Sequence, residues 1–396
     1  MTGPIRRVWA AVALAGALLG LTFATTSTLD YAEHLDRGLH DLHCSVIPGM
    51  PATSAAEACR AAMYSPYSAV LKTSLWGGVP ISLFGQGAFV FFAAFALYLL
   101  ISGPRAPRSA RWFFAATGVT PLLVSLVMLG EICRVCLGIY LSSALLAVAA
   151  VLAARPVAEP GGSAPHRRIP AWVASLLWLA ALGGSTLAPS LVYAARAPDQ
   201  RPYLTRCGAL KLAGDENGAL LHLTTSRSIQ PATLFEDPLC PTCRAFHQRL
   251  VTEGVMDKLD IRLVMFPLDS ECNWMLDEPL HPGACMVARA VLCGAGQARA
   301  VLDWAYDEQD HVARAGKAGK DTLRALLRQR WGDELVKCVD ARATQTRLND
   351  NLRFAVSNDI PVSTPQMYLG TRRVCDEDTD LGLLFALKEL APEVLK

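Results

Sequence analysis

Five apolar stretches, each near the ~20 residues that cross a bilayer, constrain this chain more than any other feature. They run roughly over 8–28, 79–101, 112–130, 135–154 and 171–194. Inside hydrocarbon every backbone N–H and C=O must be paired internally, so the stretches are expected to form helices. Pro121 interrupts the third, which a span tolerates when neighbouring helices re-satisfy the backbone. A chain of 396 residues that is 52% hydrophobic and 18% charged is too apolar for one ordinary soluble enzyme and long enough for two domains. The formal charge of +2, with no Lys/Arg run long enough to track phosphates, argues against a nucleic-acid partner.

Basic residues orient the spans. Arg6 and Arg7 precede the first, Arg105, Arg108 and Arg111 join the second to the third, and Arg155, Arg167 and Arg168 join the fourth to the fifth. The positive-inside rule makes these segments cytoplasmic. Residues 29–78, 131–135 and everything after about 195 then lie outside, and all twelve cysteines fall in or beside those segments. Charge asymmetry and cysteine placement select the same topology, and it puts the thiols where disulfides persist. The first span also reads as a signal peptide, with a basic start, an apolar core and small residues after it; its cleavage would leave the remaining topology unchanged. The Pro/Gly/Ala-rich segment 156–170 reads as a linker. The expected organisation is a membrane domain over 1–155, a cytoplasmic linker and fifth span over 156–195, and an outer soluble domain over 196–396.

In the soluble part, the stretch PATLFEDPLCPTCRAFHQRL is the most specific. Ala232 to Phe235 reads as a strand, followed by Cys240-Pro241-Thr242-Cys243 and an amphipathic helical pattern through Phe246 and Leu250. A cysteine at a helix N-terminus faces unpaired N–H groups and the positive end of the helix dipole, which favour its thiolate. Cys240 is therefore expected to be the exposed attacking sulfur and Cys243 its resolving partner. Further along, Thr364-Pro365 precedes an apolar strand, where a thioredoxin-like fold carries a cis proline beside its dithiol. Residues 284–356 between them read as helical. The pattern resembles the DsbA-like branch of the thioredoxin superfamily, an α/β fold with a helical insertion. Two CxxC pairs also suit a zinc site, but here a whole span separates them and one opens a helix, so no metal is expected.

Cys133 and Cys136 stand at the outer lip of the fourth span, with Tyr140 four residues later on the same helix face as Cys136. A dithiol placed there is close enough to lipid to meet a hydrophobic oxidant. Upstream, Cys44 and Cys59 lie in the first outer loop, followed by Ser65 in SPY and by PISLFG. This combination, over about residues 5–155, resembles the vitamin K epoxide reductase family, whose four-helix core is joined in some bacterial members to a thioredoxin-like domain through a fifth span. The resemblance implies that Cys136 engages a quinone (ubiquinone or menaquinone), that Cys133 is its disulfide partner, that Cys59 and Cys44 relay electrons from the soluble domain, and that Ser65 and Tyr140 line the quinone pocket. Fourteen residues separate Cys44 from Cys59, more than expected for the family.

Six cysteines remain. SECNWMLDEPLHPGAC suggests a local Cys272–Cys285 bridge, Cys293 with Cys338 would tie two helices of the insertion, and Cys207 with Cys375 is what is left. Glu236 reads equally as a carboxylate kept near the dithiol and as a solvated strand-end residue. His43 beside Cys44 and His247 on the dithiol helix could lower a thiol pKa but read first as ordinary surface residues, and His281 reads as part of a turn. The aromatic residues Phe89, Phe91, Phe92, Phe95 and Tyr98 read as span packing. Together the residues predict a quinone-linked thiol oxidase of the bacterial inner membrane that makes disulfides in reduced exported proteins. Its expected partners are membrane lipid, quinone and those substrates. A reductase or isomerase running in the opposite direction, or a redox sensor, are the alternatives.

Overall fold

The computed structural model describes residues 3–35, 62–127, 134–155, 170–212, 214–215, 218, 220–223, 230–294, 296–376 and 379–395. Cys44, Cys59, Cys133 and His43 lie outside the described residues. The chain divides into two compact units, Met1–Pro198 and Asp199–Lys396.

In the first unit the apolar stretches are helices: α1 (Gly3–Leu35), α2 (Ile81–Ser102), α3 (Arg108–Gly118) with α4 (Thr120–Val127), α5 (Arg134–Ala154) and α6 (Ala171–Arg196). A two-stranded ribbon, β1 (Ala69–Val70) with β2 (Val79–Pro80), precedes α2. Among the described residues, five spans are long and apolar enough to cross a membrane, with α3 and α4 counting as one. The chain is a multi-pass membrane protein. The third span breaks at Val119, just ahead of Pro121, whose missing N–H removes a helical hydrogen bond. α1 runs past its expected end to Leu35, where its last turns are held by the segment that precedes α2: Asp30 is buried, and the Tyr31 hydroxyl donates to the Gly77 carbonyl at 2.5 Å. α1 packs against α2 and α5 through Ala10, Ala13, Ala17 and Ala24, whose small side chains permit close approach. Phe91, Phe92 and Phe95 pack on Phe113 and Phe114, and Phe95 and Phe113 also meet Trp178 of α6, so the aromatic stripe is span packing.

The second unit is built on a five-stranded sheet. Its strands are β3 (Leu221–His222), β4 (Pro231–Glu236), β5 (Asp260–Met265), β6 (Gln366–Leu369) and β7 (Arg372–Val374), in the order β3-β5-β4-β6-β7. β4 and β5 run parallel, joined through α7 (Pro241–Thr252); the other pairs are antiparallel. Between β5 and β6 come five helices: α8 (Ala284–Cys293), α9 (Ala298–Asp307), α10 (Gln309–Ala318), α11 (Lys320–Asp340) and α12 (Arg342–Ser357). The C-terminal α13 (Leu383–Leu390) follows the sheet. Phe235, Val264, Phe266, Leu352 and Tyr368 form the core between sheet and helices. β4 lies in the middle of the sheet, so every residue from Ala232 to Glu236 is buried. A central parallel strand followed by a helix that opens on a CxxC, then an inserted helical lobe, then an antiparallel return, is a thioredoxin-like arrangement with a helical insertion.

Candidate functional site

The dithiol sits where β4 hands over to α7. Cys240 is the N-cap, in extended conformation, and Pro241 occupies the first helical position, where its missing N–H costs nothing. The antiparallel pairing of Phe235 with Gln366 brings the preceding cis peptide, Thr364–Pro365, beside this junction. The Cys240 sulfur lies 2.8 Å from the Thr242 hydroxyl and 3.7 Å from the Thr364 carbonyl, which also accepts from Thr242 at 3.2 Å. Cys240 and Cys243 are both free thiols.

Cys240 is 5% exposed, which corrects the expectation of an exposed sulfur: the cis-proline loop and the Thr242 side chain cover it. Its acidity also has a nearer cause than the helix dipole. The hydrogen bond with the Cys243 thiol, helped by Thr242, outweighs burial and lowers its pKa to about 5. Burial pushes the Cys243 thiol far up, and the neighbouring Cys240 and Glu236 charges push it further. The pair is thereby divided into an ionised sulfur and a protonated one. Only the Asp237 N–H approaches the Cys243 sulfur from the backbone of the β4 end, at 3.4 Å among the described residues.

Glu236 is buried, which rules out the solvated reading. Enclosure by α7 and α9 raises its carboxyl to about 7, with His247 and the Tyr306 hydroxyl partly opposing the rise. Tyr306 donates to its Oε2 at 3.2 Å, and the His247 Nδ1 stands 3.9 Å from the same oxygen. His247 is also buried rather than at the surface, because its face of α7 is covered by α9. Asp237 is pinned by the backbone N–H groups of Leu239 and Leu268 and by His281 at 2.7 Å. Burial pulls the His281 imidazole down, but the Asp237 hydrogen bond and charge outweigh it and hold it above its ordinary value. His281 is thus a partner of the site and not only a turn residue. Gln309 ties the helical lobe to the junction, donating to the carbonyls of Cys240 and Pro238.

The remaining cysteines of this unit are joined as Cys207–Cys375, Cys272–Cys285 and Cys293–Cys338, with Cα separations of 5.4, 5.9 and 5.9 Å. Cys272–Cys285 closes the loop that carries His281.

In the first unit Cys136 is half-buried near the start of α5 and disulfide-bonded, with Tyr140 one turn further along. A Cβ on Gly138, which lies between them, would stand 2.6 Å from the Phe23 ring of α1. Ser65 makes its hydrogen bonds in its own turn, where its carbonyl accepts from the Lys72 ammonium at 2.9 Å and its hydroxyl from the Tyr67 N–H at 3.3 Å. Lys72 and Asp30, both buried at this end of the bundle, drew no notice in the sequence, which carries no local mark of their burial.

Residues 11–151 match the model of the Vitamin K epoxide reductase family. No curated protein matches the chain. Among solved structures the chain is similar to oxidoreductase DsbA from Xylella fastidiosa, at 19% identity and a TM-score of 0.32, over 41% of this chain and 85% of that one. It is also similar to ScsC of Proteus mirabilis in a transitional conformation, at 13% identity and a TM-score of 0.29, over 56% and 96% of the two chains. The thioredoxin-like character of the second unit stands on its own strand order and on the dithiol at the head of α7. Residues 11–151 are thus a membrane domain of the vitamin K epoxide reductase family, followed by a second unit of thioredoxin-like fold.

Proposed function

We propose that the protein is a quinone-linked thiol oxidase that makes disulfides in exported proteins, with its second unit on the outer side of a bacterial inner membrane. Electrons from a reduced substrate enter at Cys240/Cys243, pass to Cys44/Cys59, then to Cys133/Cys136, and leave to a quinone. Each transfer between cysteine pairs is attack of a thiolate on a disulfide sulfur through a mixed disulfide, which needs no metal or nucleotide, and only the last delivers electrons to a quinone. In the first, a substrate thiolate attacks the Cys240 sulfur of the oxidised pair and Cys243 leaves. The second substrate thiolate then attacks the mixed disulfide, and the Cys240 thiolate departs. Glu236 is the group that gives Cys243 its proton on reduction and takes it back on reoxidation. Ser65 and Tyr140 are assigned to the quinone pocket, and the apolar Leu137 and Leu141, exposed on α5 around Cys136, suit a lipid-soluble acceptor. A quinone bound there supplies a two-electron sink.

The observation that carries this reading is the Cys240 thiol, ionised down to about pH 5. Stabilising the thiolate stabilises the reduced pair, which makes the oxidised pair a stronger oxidant. That favours donation of disulfides over a reductase or isomerase role.

Anaerobic quinone reduction by the purified full chain, given a reduced unfolded dithiol substrate, tests it. Quinol is expected from the native protein and from neither Cys136→Ser nor Cys240→Ser. Exchange of Cys240/Cys243 with substrate and no quinol from the native protein would refute the oxidase reading.

A further inference from the structure

Cys243 and Glu236 are both fully enclosed, yet Cys243 has to lose a proton every time it attacks and regain one every time it leaves. A buried carboxylate can hold that proton, but to work repeatedly it must exchange it with solvent. Around Glu236, the Tyr306 hydroxyl donates to Oε2, and its own acidity is suppressed by burial, so it releases no proton at working pH. Among the described residues Oε1 has no hydrogen-bond partner. A further polar neighbour is His247, whose Nδ1 is 3.9 Å from Oε2 and likewise makes no hydrogen bond among the described residues. That gap is closed by a small rotation of either side chain or by one water. On its other edge the Nε2 of His247 lies 2.7 Å from Asp303, and the Asp303 side chain is 42% exposed. The groups facing the imidazole are therefore Glu236 from β4, and Asp303 and the Tyr306 ring from α9, with the Arg299 guanidinium 3.8 Å behind Asp303.

We propose that His247 relays the proton between the buried Glu236 and the solvent-facing Asp303, so that the resolving thiol of Cys243 can be deprotonated and reprotonated in every cycle. On reoxidation a disulfide partner is attacked by the Cys240 thiolate and its first sulfur leaves. The Cys243 proton passes to Glu236, the Cys243 sulfur bonds to the Cys240 sulfur, and the partner's second sulfur departs as a thiolate with the bonding pair. Glu236 then gives its proton to Nδ1 of His247, which releases one from Nε2 toward Asp303 and water. Imidazole suits this because it accepts at one nitrogen and donates at the other. On reduction the same steps run backwards. The relay rests on the reading of Glu236 as the proton acceptor and is independent of where electrons go beyond Cys240.

The full chain, reduced and mixed with oxidised glutathione, separates the steps: appearance of glutathione on Cys240 reads the attack, and its loss to Cys240–Cys243 reads deprotonation of Cys243, both by acid quench and peptide mass. His247→Gln is expected to leave the attack unchanged and slow the loss by about tenfold or more at pH 7, within the range of general acid–base effects. Asp303→Asn is expected to slow it less. In His247→Gly, added imidazole is expected to restore the rate, a rescue that a merely structural histidine would not give. Loss at the native rate in His247→Gln, or a slowed His247→Gly that imidazole does not rescue, would overturn the relay. Glu236→Gln keeps the two ideas apart: if it too resolves at the native rate, the carboxylate reading falls; if it is slow while His247→Gln is not, the relay alone falls.

Discussion

A thiol that is 5% exposed and still ionised at about pH 5 owes its charge to its immediate neighbours, and the consequence is measurable as a potential. In the reduced protein the Cys240 pKa falls from 9.0 to about 5. A depressed acid stabilises the state that contains it above its ordinary value, and that stabilisation is lost as pH falls through the depressed one. Between about pH 5 and 9 the reduced pair therefore gains on the disulfide form as pH rises; at pH 7 the gain is roughly 3 kcal/mol, or about 60 mV for a two-electron couple. Below about pH 5 reduction takes up two protons and the potential should change by about 59 mV per pH unit; above it only Cys243 takes one and the slope should halve to about 30 mV. Equilibration of the Cys240/Cys243 pair with glutathione buffers across pH 4–8 is expected to show that break. A single slope throughout would mean that Cys240 is not ionised. The Cys240-Pro241-Thr242-Cys243 motif announces the dithiol in sequence. The acidity depends on the Cys243 hydrogen bond and the Thr242 hydroxyl, whose geometry only the fold supplies.

The helical lobe reaches the dithiol by packing α10 against the loop that holds His281. Gly316 on α10 lies against the Pro282 carbonyl, so closely that a Cβ would collide with backbone. Facing it, Gly283 has φ +93° and would put a Cβ 2.8 Å from the Gly316 Cα. Gly316→Ala must therefore push α10 and the 281–283 turn apart, an overpacking that costs roughly 1–3 kcal/mol. A fall of that size in the urea stability of the second unit is expected, with loss of the raised His281 pKa as seen by NMR, because the Asp237 contact goes with the turn. An unchanged His281 titration would show that the lobe does not position it. Helical elements were readable from their periodicity, as was the β4–dithiol–α7 order. Glu236 was not, although the run Ala232 to Glu236 ends in a strand that lies between β5 and β6 and is covered on both faces. His247 carried a usable signal: it follows Cys243 by four residues, hence shares the buried helix face. What covers it, Asp303 and Tyr306, comes from more than fifty residues away, and no local pattern reports that.

At the scale of the whole molecule, span length and hydropathy made the membrane helices legible, since a bilayer imposes both on any sequence that crosses it. Sidedness rests on arginines: the proposed inner segments carry Arg6, Arg7, Arg105, Arg108, Arg111, Arg155, Arg167 and Arg168 and no lysine. Lys72 is the sole lysine before Lys211, and it is buried. An amine-reactive reagent that cannot cross membranes is therefore a clean reporter of the second unit, where Lys317, Lys320 and Lys337 are all exposed. Applied to intact spheroplasts of a bacterium producing the chain, it is expected to modify these three lysines as fully as after lysis. If they react only once the membrane is opened, the second unit faces the cytoplasm, where glutathione and thioredoxin hold thiols reduced. Cys240/Cys243 would then meet no exported substrate, and the proposed direction of electron flow would lose its donor. Labelling from outside places the low-pKa dithiol on the side where newly exported chains arrive with reduced cysteines, as the oxidase reading requires.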